Sequence, residues 1–373
     1  MRANENLLVQ KLSEINNLKV HGRTTGELSP LTLFWTGSGL ELNAKGTELW
    51  IEVEADYDIY EPWISILINS APVSRQMVTV GRHWICVYRG MNQSAIKNIR
   101  IVRDVQAMSA DSSCCLQIHA VKSDGAFMPI ENKQLKIEFI GDSITSGEGC
   151  IGSRQEEDWI SMWFSAVDNY TAMTAQVLDA DYRVVAQSGW GIMTRWDNNP
   201  VCNIPLNYEK ICGVLCGEKN QALGAFNEND FASWQTDIVV INLGTNDGGA
   251  FTSPEWKDES TGKIYKQRLN KDGTFNEEDI NALKQSTVEF LKKLRKYNSK
   301  AHLVWAYGML GTLMLPAIKS AIEAYSKITG DTRISLLELP NMSDETVGAR
   351  QHPGPLAHKA AAQVLTEHIK GII

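Results

Sequence analysis

The chain has 373 residues, 43% of them hydrophobic and 21% charged, with a formal net charge of −8. These are ordinary values for a soluble globular protein of two or so domains with a sizeable core. The acidic balance, with no Lys/Arg-rich run, argues against nucleic acid or an anionic membrane surface as a partner, and no apolar run reaches the length of a membrane span.

The seven cysteines (86, 114, 115, 150, 202, 212 and 216) are odd in number and two are adjacent, which is not a disulfide framework. Cys212 and Cys216 lack a second pair at zinc spacing and read as free thiols. The first 20 residues carry no long apolar core and no small-residue cleavage site, so they do not read as a signal peptide. Together these features predict a cytoplasmic location.

In chain order, Leu7, Leu8, Leu12 and Ile15 have helical spacing and predict a short amphipathic helix within residues 1–20. From His21 to about Ile130, short β-branched and aromatic runs are punctuated by Gly, Pro, Asn and Asp. Strands are expected at 31–35, 40–43, 48–55, 63–69, 82–88, 96–102 and 116–121. Many short strands without a helical period predict an all-β jelly-roll or β-sandwich domain over residues 1–132.

At about Lys133 the pattern changes. Strands are expected at 136–140, 182–186, 237–243, 302–307 and 334–339, and helices at 169–178, 277–297, 316–328 and 355–372. Alternation of this kind means a parallel sheet covered by helices on both faces, a three-layer α/β/α domain over residues 133–373. Two stretches, 194–234 and 248–272, are longer than ordinary loops, and such loops are usually functional or disordered.

The first strand of this half ends in Gly141-Asp142-Ser143-Ile144-Thr145, with Gly147 and Gly149 beyond. In open α/β sheets ligands sit at the carboxyl ends of the strands. A serine there is either a nucleophile aimed into a cleft or a helix N-cap. A nucleophilic serine needs a base, a group to orient the base, and donors for an oxyanion. Of seven histidines, His21, His83 and His119 lie in the β-rich half, His302 opens a strand at its N-terminal end, and His358 and His368 fall within the last helix. Only His352 sits in a loop between the last strand and the last helix. Gly189, in Ser188-Gly189-Trp190-Gly191, and Asn246, in Gly244-Thr245-Asn246-Asp247, follow two further strands. Either block alone is ordinary turn chemistry; three consecutive strand tips with suitable groups are less easily so explained.

These blocks resemble those of the SGNH (GDSL-type) hydrolases, in which the serine block, the glycine, the asparagine and the histidine occur in this order. The resemblance spans about 136–373. With the β-rich region ahead of it and the string Ser146-Gly147-Glu148-Gly149, the chain is similar to the carbohydrate esterases of family two, acetyl esterases acting on xylan and related sugars. The resemblance implies Ser143 as nucleophile and His352 as general base. It implies an oxyanion hole made by the Ser143 N–H, the Gly189 N–H and the Asn246 side chain.

One feature departs from that pattern. Related enzymes usually place an aspartate two or three residues before the histidine, where this chain has Arg350 and Ala349. The expectation is a serine–histidine dyad whose imidazole is held by a backbone carbonyl near Arg350, with Asp344 and Glu345 as the alternative partners. Trp196, then Tyr307 and Trp190, are candidates for a sugar platform, and Trp159 and Trp163 for the cleft lining; core packing is the competing reading for each. No metal-ligand spacing, phosphate loop or dinucleotide fingerprint is present, so neither metal nor cofactor is expected.

The expected activity is removal of acetyl groups from acetylated oligosaccharides through an acetyl-Ser143 intermediate. The alternatives are a thioesterase or short-chain lipid esterase of the same superfamily, and an inactive carbohydrate-binding protein. The β-rich domain has three candidate roles: binding glycan, shaping the cleft, or forming an oligomer interface.

Overall fold

A computed structural model describes residues 6–373. The chain divides into two compact units. The first holds the residues up to Lys133 together with 159–167 and 210–229, and the second holds 134–158, 168–209 and 230–373. A single boundary near 132 therefore misses two later stretches that return to the first unit. They return through specific bonds. Asp104 accepts from the Ala166 N–H at 2.7 Å, Arg75 donates to the Phe164 carbonyl at 2.8 Å, and the Trp35 indole donates to the Ile211 carbonyl at 2.7 Å. Such contacts leave no periodic trace in sequence.

The first unit contains two antiparallel sheets. One runs in the order Leu8–Lys11, Cys115–Ser123, Glu48–Asp56, Gly81–Arg89, with Leu31–Thr32 also paired to Cys115–Ser123. The other runs Phe127–Met128, Gly39–Ala44, Lys97–Arg103, Trp63–Ile68, Ala71–Met77, with Leu18–His21 also on Gly39–Ala44. Alternation builds the core: Leu40, Leu42 and Ala44 are buried, with Glu41 and Asn43 between them less so. Their cluster includes Ile51, Val53, Ile66, Ile99, Ile101 and Ile118.

The amphipathic helix expected near the N-terminus is not formed by the described residues, and residues 1–5 lie outside them. Leu8–Lys11 is a strand, Leu12–Glu14 a single 3-10 turn, and Leu18–His21 another strand. One tight turn suffices to bury Leu12 and Ile15 together, and pairing with Cys115–Ser123 takes the backbone bonds a helix would have made. The expected strand at 31–35 shortens to Leu31–Thr32. Strand Ala71–Met77 has no counterpart among the expected strands because it is a polar edge strand containing Pro72, paired on one side only.

In the second unit, five parallel strands lie in the spatial order Ala180–Ala186, Leu135–Gly141, Ile238–Asn242, His302–Gly308, Ile334–Leu339. Ile137, Phe139, Ile238, Val240, Val304 and Ala306 share a core with the helices Tyr170–Val177 and Pro355–Lys370. The alternate residues face the other way. There Glu138 accepts from the Tyr208 hydroxyl at 2.6 Å, and Tyr208 packs edge-on against Phe290 of the helix Glu277–Tyr297. That helix packs on the helix Leu315–Thr329, completing the third layer. Leu135–Gly141 is bonded to Ala180–Ala186, the next strand in the chain, on one side and to Ile238–Asn242, the one after, on the other, so the chain reverses direction across the sheet at its tip. Such a switch point opens a crevice beyond the carboxyl ends of the strands.

Candidate active site

Ser143 stands at this switch point. Gly141 ends the strand, and only glycine fits: a Cβ there would lie 2.0 Å from Thr145 Oγ1. A four-residue helix, Ser143–Ser146, follows at once. Its N-cap is Asp142, whose Oδ1 accepts from the Ile144 N–H at 3.1 Å. Since Asp142 does the capping, the Ser143 hydroxyl is left to another partner. That partner is His352: Nε2 lies 2.9 Å from Ser143 Oγ. As the first residue of its helix, Ser143 also has no intrahelical acceptor for its N–H.

The imidazole is held from behind by the Arg350 carbonyl, 2.8 Å from Nδ1. A carbonyl only accepts, so Nδ1 carries the proton and Nε2 presents its lone pair to the serine hydroxyl. Neither acidic alternative reaches the ring. Asp344 is exposed and pairs with Arg154 at 3.1 Å, and Glu345 accepts from the Ser343 hydroxyl at 3.1 Å. The carbonyl points correctly because Arg350 and Gln351 are both left-handed, with φ of 56° and 55°.

Gly189 lies in a turn closed by the Trp190 N–H donating to the Gln187 carbonyl at 3.2 Å, with φ of +80° at Gly189. This turn hydrogen bond leaves the Gly189 N–H unused. Asn246 donates through Nδ2 to Asp142 Oδ2 and to the Trp190 carbonyl, each at 3.2 Å. Asn246 is thereby tied to both other blocks.

Two buried carboxyls frame the site. Asp142 is pushed up to about 7, first by burial, against the Ile144 N–H, with Asp247 and Glu148 adding repulsion. Asp247 is pushed up to about 6 by burial, opposed by backbone N–H donors. It accepts from the Ile192 and Met193 N–H groups at 2.8 Å each and so fixes the loop that carries Gly189. A Cβ on Gly191 would lie 2.3 Å from Asp247 Oδ2, so that loop needs glycine for close approach.

Sequence reasoning assigns these duties to neither Asp142 nor Asp247, although both stand inside the blocks it uses. It also misses Glu148, which is buried and accepts from Arg350 Nε at 2.9 Å. The available signal is an acid between two glycines, Gly147 and Gly149, directly after the serine turn.

The aromatic candidates separate. Trp196 is 50% exposed and packs beside Gly189, where a Cβ would meet its Cδ1 at 2.9 Å. Tyr307 is only 1% exposed, wedged against Gly244 with its hydroxyl accepting from the Met314 N–H, so its ring face is closed to a sugar. Trp190 is 6% exposed and enters the site through its carbonyl instead. Trp159 packs edge-on against Tyr60 and Phe164 in a small core of the first unit, together with Trp63. Among the described residues, no group of three or more His, Cys, Asp or Glu side chains is placed to hold a metal ion. No helix there is long and apolar enough to cross a membrane.

Residues 137–365 match the family GDSL-like Lipase/Acylhydrolase. The chain is 25% identical over 343 residues to a cellulase/esterase of Acetivibrio thermocellus, covering 90% of this chain and 37% of that protein. It is 25% identical over 235 residues to an acetylxylan esterase/glucomannan deacetylase of Cellvibrio japonicus, covering 62% and 61%. The chain thus spans less than two thirds of the length of either relative. Among solved structures it is similar to an acetyl xylan esterase from the rumen bacterium Butyrivibrio proteoclasticus, at 42% identity and a TM-score of 0.96, with 98% of each chain covered. A family two carbohydrate esterase from Clostridium thermocellum, in complex with cellohexaose, shares the fold at 22% identity and a TM-score of 0.78, covering 95% of this chain and 98% of that one. With the serine, glycine, asparagine and histidine blocks gathered at one sheet edge and the family match extending over most of the chain, this protein belongs to the GDSL-like lipase/acylhydrolase family.

Proposed function

We propose that the protein is a serine esterase that removes acetyl groups from acetylated oligosaccharides, working through Ser143 and His352. The single observation that carries the reading is the continuous hydrogen-bonded line from Ser143 Oγ through both ring nitrogens of His352 to the Arg350 carbonyl. It gives the serine a correctly tautomerised base without a third acidic side chain.

In this mechanism Ser143 Oγ attacks the acetyl carbonyl carbon while its proton passes to His352 Nε2. The carbonyl electrons move to oxygen, and the Ser143 N–H, the Gly189 N–H and the Asn246 amide receive that oxyanion. Each such donor is typically worth about 3–4 kcal/mol in the transition state. Collapse breaks the bond to the sugar oxygen, which takes the proton from Nε2 and departs as an alcohol. Water then attacks the acetyl-Ser143 ester, giving its proton to Nε2. The second collapse returns that proton from Nε2 to Ser143 and releases acetic acid, which loses its remaining proton to solvent as acetate. Asn246 must present an N–H to the oxyanion, and its two long bonds of 3.2 Å are weak enough to yield one.

The sugar half of the substrate is supported by the likeness to the Butyrivibrio acetyl xylan esterase along the whole chain. It is also supported by Trp196, an exposed indole beside Gly189, since an apolar ring with a polar edge suits a sugar face. The test is a product assay by NMR on a chemically acetylated xylo- and mannosaccharide panel, run beside acyl-CoA and longer-chain nitrophenyl esters. Acetate release from the sugars, lost in Ser143→Ala, is expected. Preference for the thioester or the long chains would move the substrate to the alternative classes. Failure of a fluorophosphonate to label Ser143 would leave only a binding role.

A further inference from the structure

His352 lacks a carboxylate behind Nδ1, yet a buried carboxylate stands close to its other nitrogen. Glu148 Oε1 lies 4.0 Å from His352 Nε2 and accepts from Arg350 Nε at 2.9 Å, with only 3% of the Glu148 side chain exposed. Resting on the reading of Ser143 and His352 as nucleophile and base, we propose that Glu148 is a positioning residue for the reaction. Through Arg350 it aims the carbonyl that orients His352, and its charge faces the imidazolium formed when Ser143 gives up its proton.

The mechanical half follows from the backbone. Two consecutive non-glycine residues, Arg350 and Gln351, sit in the left-handed region. Such conformations persist only where the surroundings over-determine them, and they concentrate at functional sites. Here the surroundings are the stretch 148–157. The Arg350 N–H donates to the Glu156 carbonyl at 2.7 Å and its Nη1 to the Glu157 carbonyl at 2.9 Å. The Gln351 amide donates to Glu157 at 2.8 Å, and the Ala349 N–H to the Gly149 carbonyl at 3.0 Å. Among these, the bond to Glu148 alone is an ion pair with a buried partner. Gly149 lets the two loops meet so closely: a Cβ there would lie 2.2 Å from the Ala349 carbonyl oxygen and 2.6 Å from the His352 Cβ.

The electrostatic half follows from the groups that face the ring. From its own loop comes the Arg350 guanidinium, and from the serine loop comes Glu148. From the last helix comes His358, which burial holds down to about 3 and so keeps uncharged. The carboxyls of Asp142 and Asp247 stand under the site, and Glu157 is engaged by Gln351. Glu148 and Arg350 therefore oppose each other at the imidazolium, and removing one charge must move the ring's protonation in the direction opposite to removing the other.

The experiment measures kcat and KM against pH for acetate release by the full chain and by Glu148→Gln, Glu148→Ala and Arg350→Gln. Glutamine keeps an oxygen for Arg350 Nε but removes the charge. For Glu148→Gln, kcat is expected to fall roughly tenfold, as for a partly cancelled charge about 4 Å from the reacting group, with KM little changed. The acid limb of kcat/KM moves to lower pH, because imidazolium loses a favourable neighbour. Glu148→Ala also frees Arg350 and falls further. Arg350→Gln lowers kcat but moves the acid limb to higher pH.

A Glu148→Gln enzyme with parental kcat and pH profile overturns the proposal. So does a loss confined to KM, or limbs that move the same way in both glutamine variants. Should Glu148→Gln fail to fold, Arg350→Gln carries the test through the same two readouts, and parental behaviour there overturns the proposal. If the parent hydrolyses no acetylated sugar, the substrate reading fails separately. The rate of Ser143 phosphonylation by a fluorophosphonate then replaces kcat, with the same order of variants expected. A parent that does not react at all overturns both.

Discussion

Asp142 and Asn246 are 104 residues apart and share one hydrogen bond, 3.2 Å from Asn246 Nδ2 to Asp142 Oδ2, directly beneath the Ser143 turn. Together with the bond to the Trp190 carbonyl, it orients the amide so that the nitrogen and not the oxygen faces these two acceptors. Asp142→Asn sets two amide nitrogens against each other, since the introduced amide must keep its oxygen toward the Ile144 N–H. Asn246 then either stays and is repelled at Asp142→Asn, or flips and sets its oxygen against the Trp190 carbonyl; both outcomes weaken or remove a donor at the site. The expected loss in kcat is about 10²–10³-fold, the cost of one oxyanion donor, with KM little changed. Steady-state kinetics on an acetylated sugar checks this, and parental kcat would separate Asp142 from the amide's orientation.

Ser143→Ala and His352→Ala are each expected to lower turnover by orders of magnitude without loss of the thermal transition, because neither side chain belongs to a hydrophobic core cluster. Asp344→Ala and Glu345→Ala are expected to leave turnover within about twofold, as surface changes away from the site do. The four variants assayed together discriminate the carbonyl-held imidazole from an acid-held one. Loss of activity in either acidic variant, with the fold intact, would mean that the loop rearranges to bring a carboxylate to Nδ1.

How far these groups are legible in the sequence depends on where each sits. Ser143, Gly189 and Asn246 stand just past strands with strong apolar signals, and His352 just ahead of the last helix, so locating those element ends locates them too. The helix Glu277–Tyr297 and the strand Ile334–Leu339 have the bounds their apolar spacing predicts. The Glu148–Arg350 pair joins positions 202 residues apart, and no local pattern encodes it. Tyr307 reads as a cleft residue because it ends a strand on the right edge. Whether such a ring faces the cleft or the sheet depends on Gly244, whose missing side chain makes the space it fills. The 3-10 turn at Leu12–Glu14 replaces an expected helix because strand pairing on both sides outweighs a short helical spacing.

Gly189→Ala tests the oxyanion turn and the Trp196 platform together. An alanine there meets both φ of +80° and the Trp196 ring at 2.9 Å, so the indole must move or the turn must open. Activity is expected to fall on every ester. Trp196→Ala leaves the turn free and is expected to raise KM for acetylated oligosaccharides while sparing kcat/KM for a small nitrophenyl acetate. Equal losses on both substrates would assign Trp196 to holding the turn and not to the sugar.

The dependence of stability on pH follows from buried groups that pull in opposite directions. Asp142 is raised from 3.8 to about 7 by burial, so the folded protein holds a proton there that the unfolded chain has released. By linkage, the stability this provides is full below about pH 4 and is lost as pH rises toward 7. Asp247, raised from 3.8 to about 6, acts in the same sense over a narrower window. His358, lowered from 6.5 to about 3 by burial, and His21, lowered from 6.5 to about 4, act oppositely: their contribution is full above 6.5 and is lost as pH falls. The sum is a maximum at intermediate pH. Asp142→Asn removes one arm only. Melting temperatures of the parent and of this variant, measured from pH 4 to pH 8, are expected to show the variant gaining on the parent as pH rises from 4 toward 7, with a constant difference above that. A constant offset across the range would mean that Asp142 is ionised in the folded protein throughout, and that its bond from Asn246 is one to a charged carboxylate.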